Sequence, residues 1–159
     1  MEMQQETIIW DKHLILGIPL IDRQHELIVN AANELNYASF ESPNTANDRF
    51  REAAACVISH IHSHFGTQEK LMGLLGFQGS FNHKREHDNF IREVLEQSKQ
   101  HKSGNKVVPH VFAQFLEDWI LSHFRVSDKV FANYVLDMKR NGQLRQILGG
   151  KPESVQLSA

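Results

Sequence analysis

Histidine is the residue type in this chain that is best suited to chemistry. The sequence contains ten histidines in 159 residues but only one cysteine, Cys56. Imidazole is the commonest metal ligand in proteins, and nitrogen donors combined with carboxylates suit iron, zinc or copper. A single cysteine excludes iron–sulfur clusters, zinc fingers and dithiol redox pairs. We therefore expect any reactive centre to be a metal site with imidazole ligands.

The spacing of apolar residues predicts the helices that would position such a centre. Apolar side chains recur at alternating steps of three and four, which is typical of amphipathic helices. The pattern covers residues 18–38, 45–74, 80–102 and 109–124, and a further helical stretch reaches Arg140. Short connections favour antiparallel neighbours. We predict an all-α, up-down-up-down antiparallel four-helix bundle over residues 1–140, with an N-terminal arm and a short C-terminal extension, and a mobile tail over residues 141–159 that offers little to bury.

Five histidines fall within the apolar stripes that should face the bundle interior. A lone histidine on such a face is usually a hydrogen-bonded core residue, but five buried imidazoles without partners would cost roughly 1–3 kcal/mol each. A shared metal satisfies them all. His83 and His87 lie about 40° apart around a helix, so both can reach one ion, and five ligands exceed what one tetrahedral zinc uses. Two metals and a carboxylate bridge are therefore expected. The five are His25, His64, His83, His87 and His123.

Composition and missing motifs exclude several other classes of function. Seventeen basic and nineteen acidic residues, without clustered Lys and Arg, argue against a nucleic-acid partner. No apolar run has the 18 or more residues of a membrane span, and the lone thiol and the lack of a signal-like start favour the cytoplasm. The chain has no Glu three residues before a His, as ferritin-like di-iron proteins require, and no metalloprotease pair of histidines around a Glu.

Several short motifs, in order and spacing together, carry a family resemblance. They are Trp10, Gly17-Ile18, Ile21-Asp22-Arg23-Gln24-His25, His64-Phe65-Gly66-Thr67-Gln68-Glu69, His83-x-x-x-His87, Trp119-Ile120-Leu121-Ser122-His123 and then Asp128. The series resembles the hemerythrins, particularly the bacterial hemerythrin-like proteins. That resemblance implies reversible O2 binding at two iron ions with an oxo or hydroxo bridge. It assigns one iron to His83, His87 and His123, the other iron, with the open position for O2, to His25 and His64, and a bridging role to Asp128.

The resemblance is broken at the second carboxylate bridge. The family pattern has a ligand Glu four residues after the histidine of the second helix, and here that position is Gln68. An amide lacks the negative charge of a carboxylate, so a Gln68-ligated site should have a raised reduction potential and a weaker affinity for O2. Two alternatives stay open. A local π-bulge could turn Glu69 inward, or His60, one turn before His64, could supply an additional donor.

The residues beside the ligand histidines predict an apolar pocket for a small diatomic ligand. Ile28, Phe65, Trp119 and Phe124 occupy these positions, although core packing explains them equally well. The leading hypothesis is an O2-binding protein for storage, delivery or sensing rather than an enzyme. The alternatives are a di-iron peroxidase or nitric-oxide-handling protein, and a helical bundle whose metal site is degenerate.

Overall fold

The protein is a bundle of helices in which the fourth long helix is interrupted by a π-helical turn. The computed structural model describes residues 7–40, 43–102, 108–149 and 157. The helices are α1 (Pro19–Ser39), α2 (Pro43–Leu75), α3 (Ser80–Lys102), α4 (Pro109–His123), α5 (Lys129–Arg140) and α6 (Gln143–Leu148), and the π-turn Phe124–Asp128 joins α4 to α5. Helix α1 packs against α2 and α4, and α2 packs against α3. The predicted all-α four-helix bundle is confirmed. Across these described ranges, no helix combines the length and the apolar character that crossing a membrane requires.

The start of α1 is fixed by a carboxylate and a glycine. Backbone N–H groups of Leu16 and Gly17 donate to the two Asp22 oxygens at 2.7 Å and 3.0 Å. Gly17 has a φ of 87°, a left-handed conformation that glycine adopts without steric cost. Pro19 then occupies the first turn, where its missing N–H costs nothing. These contacts set the register of α1, and with it the direction of His25.

The N-terminal arm packs over the bundle, as the sequence predicts. Ile8 and Asn33 exchange two hydrogen bonds of 2.9 Å, one from the Ile8 N–H to Asn33 Oδ1 and one from Asn33 Nδ2 to the Ile8 carbonyl. The side chains of Ile8 and Leu14 are buried. The arm therefore closes one end of the apolar interior.

The interior contains two apolar clusters with a polar layer between them. Burying a large apolar side chain contributes roughly 1.5–3 kcal/mol, so two such clusters can offset the cost of burying polar groups in between. The arm-side cluster includes Leu14, Ile28, Leu35, Val57, Phe65 and Leu116. The C-terminal cluster includes Ile18, Ile21, Leu71, Met72, Phe131 and Leu148.

The segment after Arg140 differs from its prediction. Gly142, with a φ of 78°, turns the chain into α6, and Leu144 and Leu148 of that helix are buried in the C-terminal cluster together with Leu157. The expectation that residues 141–159 offer little to bury is therefore wrong for these leucines, because their spacing of four places both on one helical face. The rest of the predicted tail, residues 150–156 and 158–159, lies outside the described residues.

Candidate metal centre

A layer of seven polar side chains is buried between the two apolar clusters. Helices α1, α2, α3 and α4 and the π-turn contribute side chains to this layer, and none of these side chains is more than 4% exposed. Every histidine placed on an inward stripe by the sequence lies in this layer, as do the two predicted oxygen ligands. The seven are His25, His64, Gln68, His83, His87, His123 and Asp128.

One face of the layer consists of two histidines and one Asp128 oxygen. The Nε2 atoms of His25 and His64 lie 2.8 Å and 3.1 Å from Asp128 Oδ2. The two Nε2 atoms are 3.2 Å from each other. Three potential ligand atoms thus converge on one small volume, which we call the two-histidine set.

The opposite face consists of three histidines and the other Asp128 oxygen. His83 Nε2 and His123 Nε2 each lie 3.1 Å from Asp128 Oδ1. His87 Nε2 is 3.1 Å from His123 Nε2. We call these the three-histidine set. Asp128 presents one carboxylate oxygen to each set, which is the arrangement that a carboxylate needs to bridge two ions.

The π-turn explains how Asp128 reaches this position. In an ideal α-helix a residue five positions after His123 points about 140° away from it. The turn Phe124–Asp128 has π-helical hydrogen bonding, which links residues five apart and brings Asp128 round to the side of His123. The extra backbone of this turn therefore places both side chains in the same layer.

Gln68 lies inside the layer, but an amide cannot reproduce a carboxylate bridge. Its Nε2 donates to Asp128 Oδ1 at 2.7 Å, which leaves one oxygen for other partners. That atom, Oε1, is buried and has no hydrogen-bond partner among the described residues. Gln68 therefore offers a single neutral donor atom to a cation.

Burial favours the neutral form of three of these imidazoles, His25, His64 and His87, and the neutral form is the one that binds metal. Burial lowers the pKa of His64 to about 4, and it also lowers the pKa of His25. At His87, burial together with repulsion from His123 and His83 lowers the pKa to about 2. Burial alone would raise the pKa of Asp128, but attraction to His123 and the short contacts of the carboxylate with the rings of His123, His25 and His64 hold it well below its usual range. At neutral pH His25, His64 and His87 thus offer neutral nitrogen donors beside the Asp128 anion.

The outward ring nitrogens (Nδ1) of three histidines form hydrogen bonds with polar side chains of an adjacent helix. His87 Nδ1 donates to Glu69 Oε1 at 3.1 Å, and His123 Nδ1 donates to Glu86 Oε2 at 3.1 Å. His64 Nδ1 lies 3.0 Å from Gln24 Oε1. Sequence patterns did not identify these three partners. The only signal available was that all three partners, Gln24, Glu69 and Glu86, are direct chain neighbours of inward residues.

The structure bears on the two alternatives for completing the second bridge, an inward Glu69 and an additional donor from His60. Helix α2 continues as α-helix through position 69, and the Glu69 side chain is 31% exposed and bonded to the outer nitrogen of His87. The prediction that a π-bulge turns Glu69 inward is therefore wrong, since the π-turn lies after α4 instead. His60 is half-buried and belongs to neither of the metal-ligating clusters found in the described residues.

Comparisons with known proteins agree with this geometry. The family model of the hemerythrin HHE cation binding domain matches residues 16–135. The chain belongs to the hemerythrin family. It is 30% identical to a bacteriohemerythrin of Stenotrophomonas maltophilia over 80% of this chain and 81% of that relative. A hemerythrin-like protein of Naegleria gruberi is 26% identical over 75% of this chain and 86% of its own length.

The comparison with solved structures finds the same fold. A crystal structure of a hemerythrin mutant superposes with a TM-score of 0.71 over 79% of this chain and 95% of that one, at 21% sequence identity. This similarity concerns the fold. Together with the buried His and Asp clusters, family membership makes the chain a hemerythrin-type metal-binding protein, for which a non-haem di-iron site is the implied centre.

The residues of this hemerythrin domain fit a pair of cations on chemical grounds. When Glu69 and Glu86 accept the Nδ1 protons of His87 and His123, the neutral rings have only lone pairs left at Nε2. These two Nε2 atoms are 3.1 Å apart. The lone pairs repel each other unless a proton or a metal ion lies between them. His83 Nε2 and Gln68 Oε1 are further buried ligand atoms that a cation would satisfy, because neither has a hydrogen-bond partner among the described residues, although His83 Nε2 lies 3.1 Å from Asp128 Oδ1.

Aromatic rings stack on three histidines of the layer. Phe124 stacks on His25 with ring centroids 3.5 Å apart, and Phe65 stacks on His87 at 3.7 Å. Trp119 stacks on His123 at 4.4 Å. Ile28 is fully buried in the arm-side cluster. Phe65 also lines an apolar cavity of about 100 Å³ with Ile58, Ile61, His62, Phe90, Ile91, Val94 and Leu95. The predicted role of these residues around a bound diatomic molecule stays a prediction.

Proposed function

We propose that this protein binds O2 reversibly at a non-haem di-iron centre, for storage, delivery or sensing. The observation that carries the proposal is the position of Asp128, which turns Oδ2 toward the two-histidine set and Oδ1 toward the three-histidine set. A single ion would need only one of these oxygens. A carboxylate shared between two groups of imidazoles is suited to holding two ions side by side.

Each donor has a defined task in this proposal. His83, His87 and His123 would hold one iron, and His25 and His64 would hold the other. Asp128 would be shared between the two, and Gln68 would offer Oε1. The irons, when bound, would supply the redox chemistry that captures O2. The five imidazoles and Asp128 are all at most 4% exposed, so the chain itself excludes bulk water from the centre.

The stacked rings and the neutral imidazoles favour a carrier over an enzyme. Phe124, Phe65 and Trp119 cover the ligand rings with apolar surface, which restricts the entry of protons. The carboxylates next to the layer, Glu69 and Glu86, accept hydrogen bonds from ring nitrogens. Because these carboxylates are engaged as acceptors, they are poorly available as general acids, which substrate turnover would need.

The test is an oxygenation cycle followed by visible absorption. The protein is loaded with ferrous iron under anaerobic conditions, desalted and exposed to O2, and then returned to an O2-free atmosphere. We expect a charge-transfer band that forms with O2 and disappears when O2 is removed, over repeated cycles. Turnover of added peroxide without a stable coloured species would favour the peroxidase alternative. Binding of one metal ion or none would favour a degenerate site.

A further inference from the structure

The two sets of histidines differ in the groups that hold their outward nitrogens. In the three-histidine set, His87 and His123 donate to the carboxylates of Glu69 and Glu86, each at 3.1 Å. In the two-histidine set, His64 faces the neutral amide of Gln24 at 3.0 Å. His25 Nδ1 is buried and has no hydrogen-bond partner among the described residues. Among the described residues, carboxylates are therefore hydrogen-bonded to the outward nitrogens of the three-histidine set and not to those of the two-histidine set.

The Gln24 amide is held so that its oxygen accepts a hydrogen bond from His64. The partners of the outward nitrogens therefore differ in their charge, while the tautomer of the imidazole is the same. Gln24 Nε2 donates to Thr67 Oγ1 at 2.9 Å, and that hydroxyl donates to the Ser63 carbonyl at 3.1 Å. Gln24 Oε1 is thus left to accept the Nδ1 proton of His64. In His64, His87 and His123 the proton on Nδ1 leaves the Nε2 lone pair for a metal, and a carboxylate behind the ring makes the imidazole a more basic donor than an amide does.

Both carboxylates connect neighbouring helices and have further partners. Glu69 of α2 binds a histidine of α3, and its other oxygen lies 3.6 Å from Lys84 Nζ. Glu86 of α3 binds a histidine of α4 and also accepts a hydrogen bond from Ser127, the residue before Asp128 in the π-turn. These contacts hold the carboxylates in place although they are partly exposed.

We propose that Glu69 and Glu86 are positioning residues that supply, through His87 and His123, the negative charge that Gln68 does not bring to the metal pair. Two ferric ions, an oxo group and Asp128 would sum to about +3, and the two carboxylates would reduce this to about +1, or to about +2 with Lys84 beside Glu69 counted. Because both act on the three-histidine set, the iron held there binds more tightly and is oxidised first. This inference rests on the proposed di-iron centre.

The test replaces each carboxylate by its amide and measures metal affinity and reduction potential. In Glu69→Gln and Glu86→Gln the acceptor oxygen is kept and the charge is lost. We expect each to weaken the tighter of the two metal affinities by about 10–100-fold, measured by anaerobic titration with Fe2+ and with redox-silent Co2+. The potential of the iron oxidised first should rise in both variants. Glu93→Gln, an exposed position of α3, is the matched control and should change neither value.

Two further variants separate charge from structure. Gln24→Glu adds a carboxylate behind His64, so it should tighten the weaker affinity and reduce the difference between the two irons. Ser127→Ala removes the second partner of Glu86 without changing charge, and its effect should be smaller than that of Glu86→Gln. A variant that lowers only the melting temperature, with wild-type affinities and potential, would show a merely structural role and overturn the proposal. Equal effects on both irons would also overturn it.

These outcomes are independent of the proposed oxygen chemistry. Reversible O2 binding by the wild-type protein, together with unchanged affinities in Glu69→Gln and Glu86→Gln, would reject the positioning role alone. Failure of the wild-type protein to bind O2, with the expected loss of Co2+ affinity in both variants, would reject the O2 proposal and keep the positioning role.

Discussion

The two-histidine and three-histidine sets have the same kind of ligand atom but different surroundings. Both present Nε2 atoms to one oxygen of Asp128 at 2.8–3.1 Å. Behind His64 lies an amide, whereas carboxylates lie behind His87 and His123. Two groups of imidazoles can thus meet one carboxylate at similar distances and still differ in the charge around them, because the partners of their outward nitrogens lie outside the inward stripes.

The largest expected effect comes from the one residue that both sets share. Asp128→Asn keeps the size of the side chain but removes the anion, so both sets lose their common ligand. We expect the affinity for both ions to fall by about 100-fold or more, measured by anaerobic iron titration. Asp118→Asn, an exposed position of α4, is the control. If Asp128→Asn still bound two ions with wild-type affinity, the bridging role would be wrong.

The next prediction separates the two sets by metal count. His64→Ala leaves His25 as the last imidazole of its set, so we expect the stoichiometry to fall from two ions to one. His83→Ala leaves two imidazoles beside Asp128 Oδ1, so both ions should stay bound, with one affinity reduced by about 10–100-fold. The measurement is metal analysis of each variant after anaerobic loading. The same stoichiometry in both variants would contradict the assignment of separate sets.

A smaller effect is expected when the carboxylate that the family pattern has at position 68 is restored. Gln68→Glu adds negative charge inside a buried site, which stabilises the oxidised irons. We expect a lower reduction potential and an O2 affinity that is higher by about tenfold. Spectroelectrochemistry and oxygen titration measure the two quantities, with the exposed Gln146→Glu as the control. Unchanged potential and unchanged O2 affinity would falsify the claim that Gln68 weakens O2 binding.

The smallest effect concerns the metal-free protein and its stability against pH. The pKa of His64 falls from 6.5 to about 4 in the folded chain, so between these values the unfolded chain takes up a proton that the folded one does not. Stability should therefore decrease as pH falls from about 6.5 to about 4, by an amount on the order of 1 kcal/mol per pKa unit. His87 and Asp128, whose folded pKa values are lower still, extend the decrease to more acid pH.

Thermal unfolding of the metal-free protein between pH 7.5 and pH 4 measures this dependence. His64→Ala and His87→Ala should each make the decrease between about pH 6.5 and about pH 4 shallower, since each removes a histidine that is protonated in the unfolded chain alone over this range. A melting temperature that is constant, or that rises toward acid pH, would show that the buried imidazoles are not held neutral.

The helices and the inward histidines were predictable from sequence because both follow a simple period. Proline at the start of α1 and α4 marks the first turns, and the spacing of apolar residues gives the buried faces. His25, His64 and His123 lie within those stripes, so their burial follows from the same pattern. The Leu144 and Leu148 pair was missed because a helix of one and a half turns gives too short a periodic signal.

The position of Asp128 and the partners of the ring nitrogens were not predictable in this way. The π-turn adds backbone without changing residue types, so no apolar period indicates it, and Asp128 was reached only through family resemblance. Glu69 and Glu86 lie beside the inward stripes, and which histidine each one binds depends on how α2, α3 and α4 are rotated against one another. Local sequence does not specify that rotation.

Asp128 is proposed to join two groups of imidazoles into one site for a pair of ions. Anaerobic titration of the metal-free wild-type protein with Fe2+ is the decisive measurement of this role. We expect two equivalents of Fe2+ bound per chain with two distinguishable affinities, and the tighter affinity, which belongs to the three-histidine set, should be weakened by Glu86→Gln. Saturation at a single equivalent, or no binding, would contradict it.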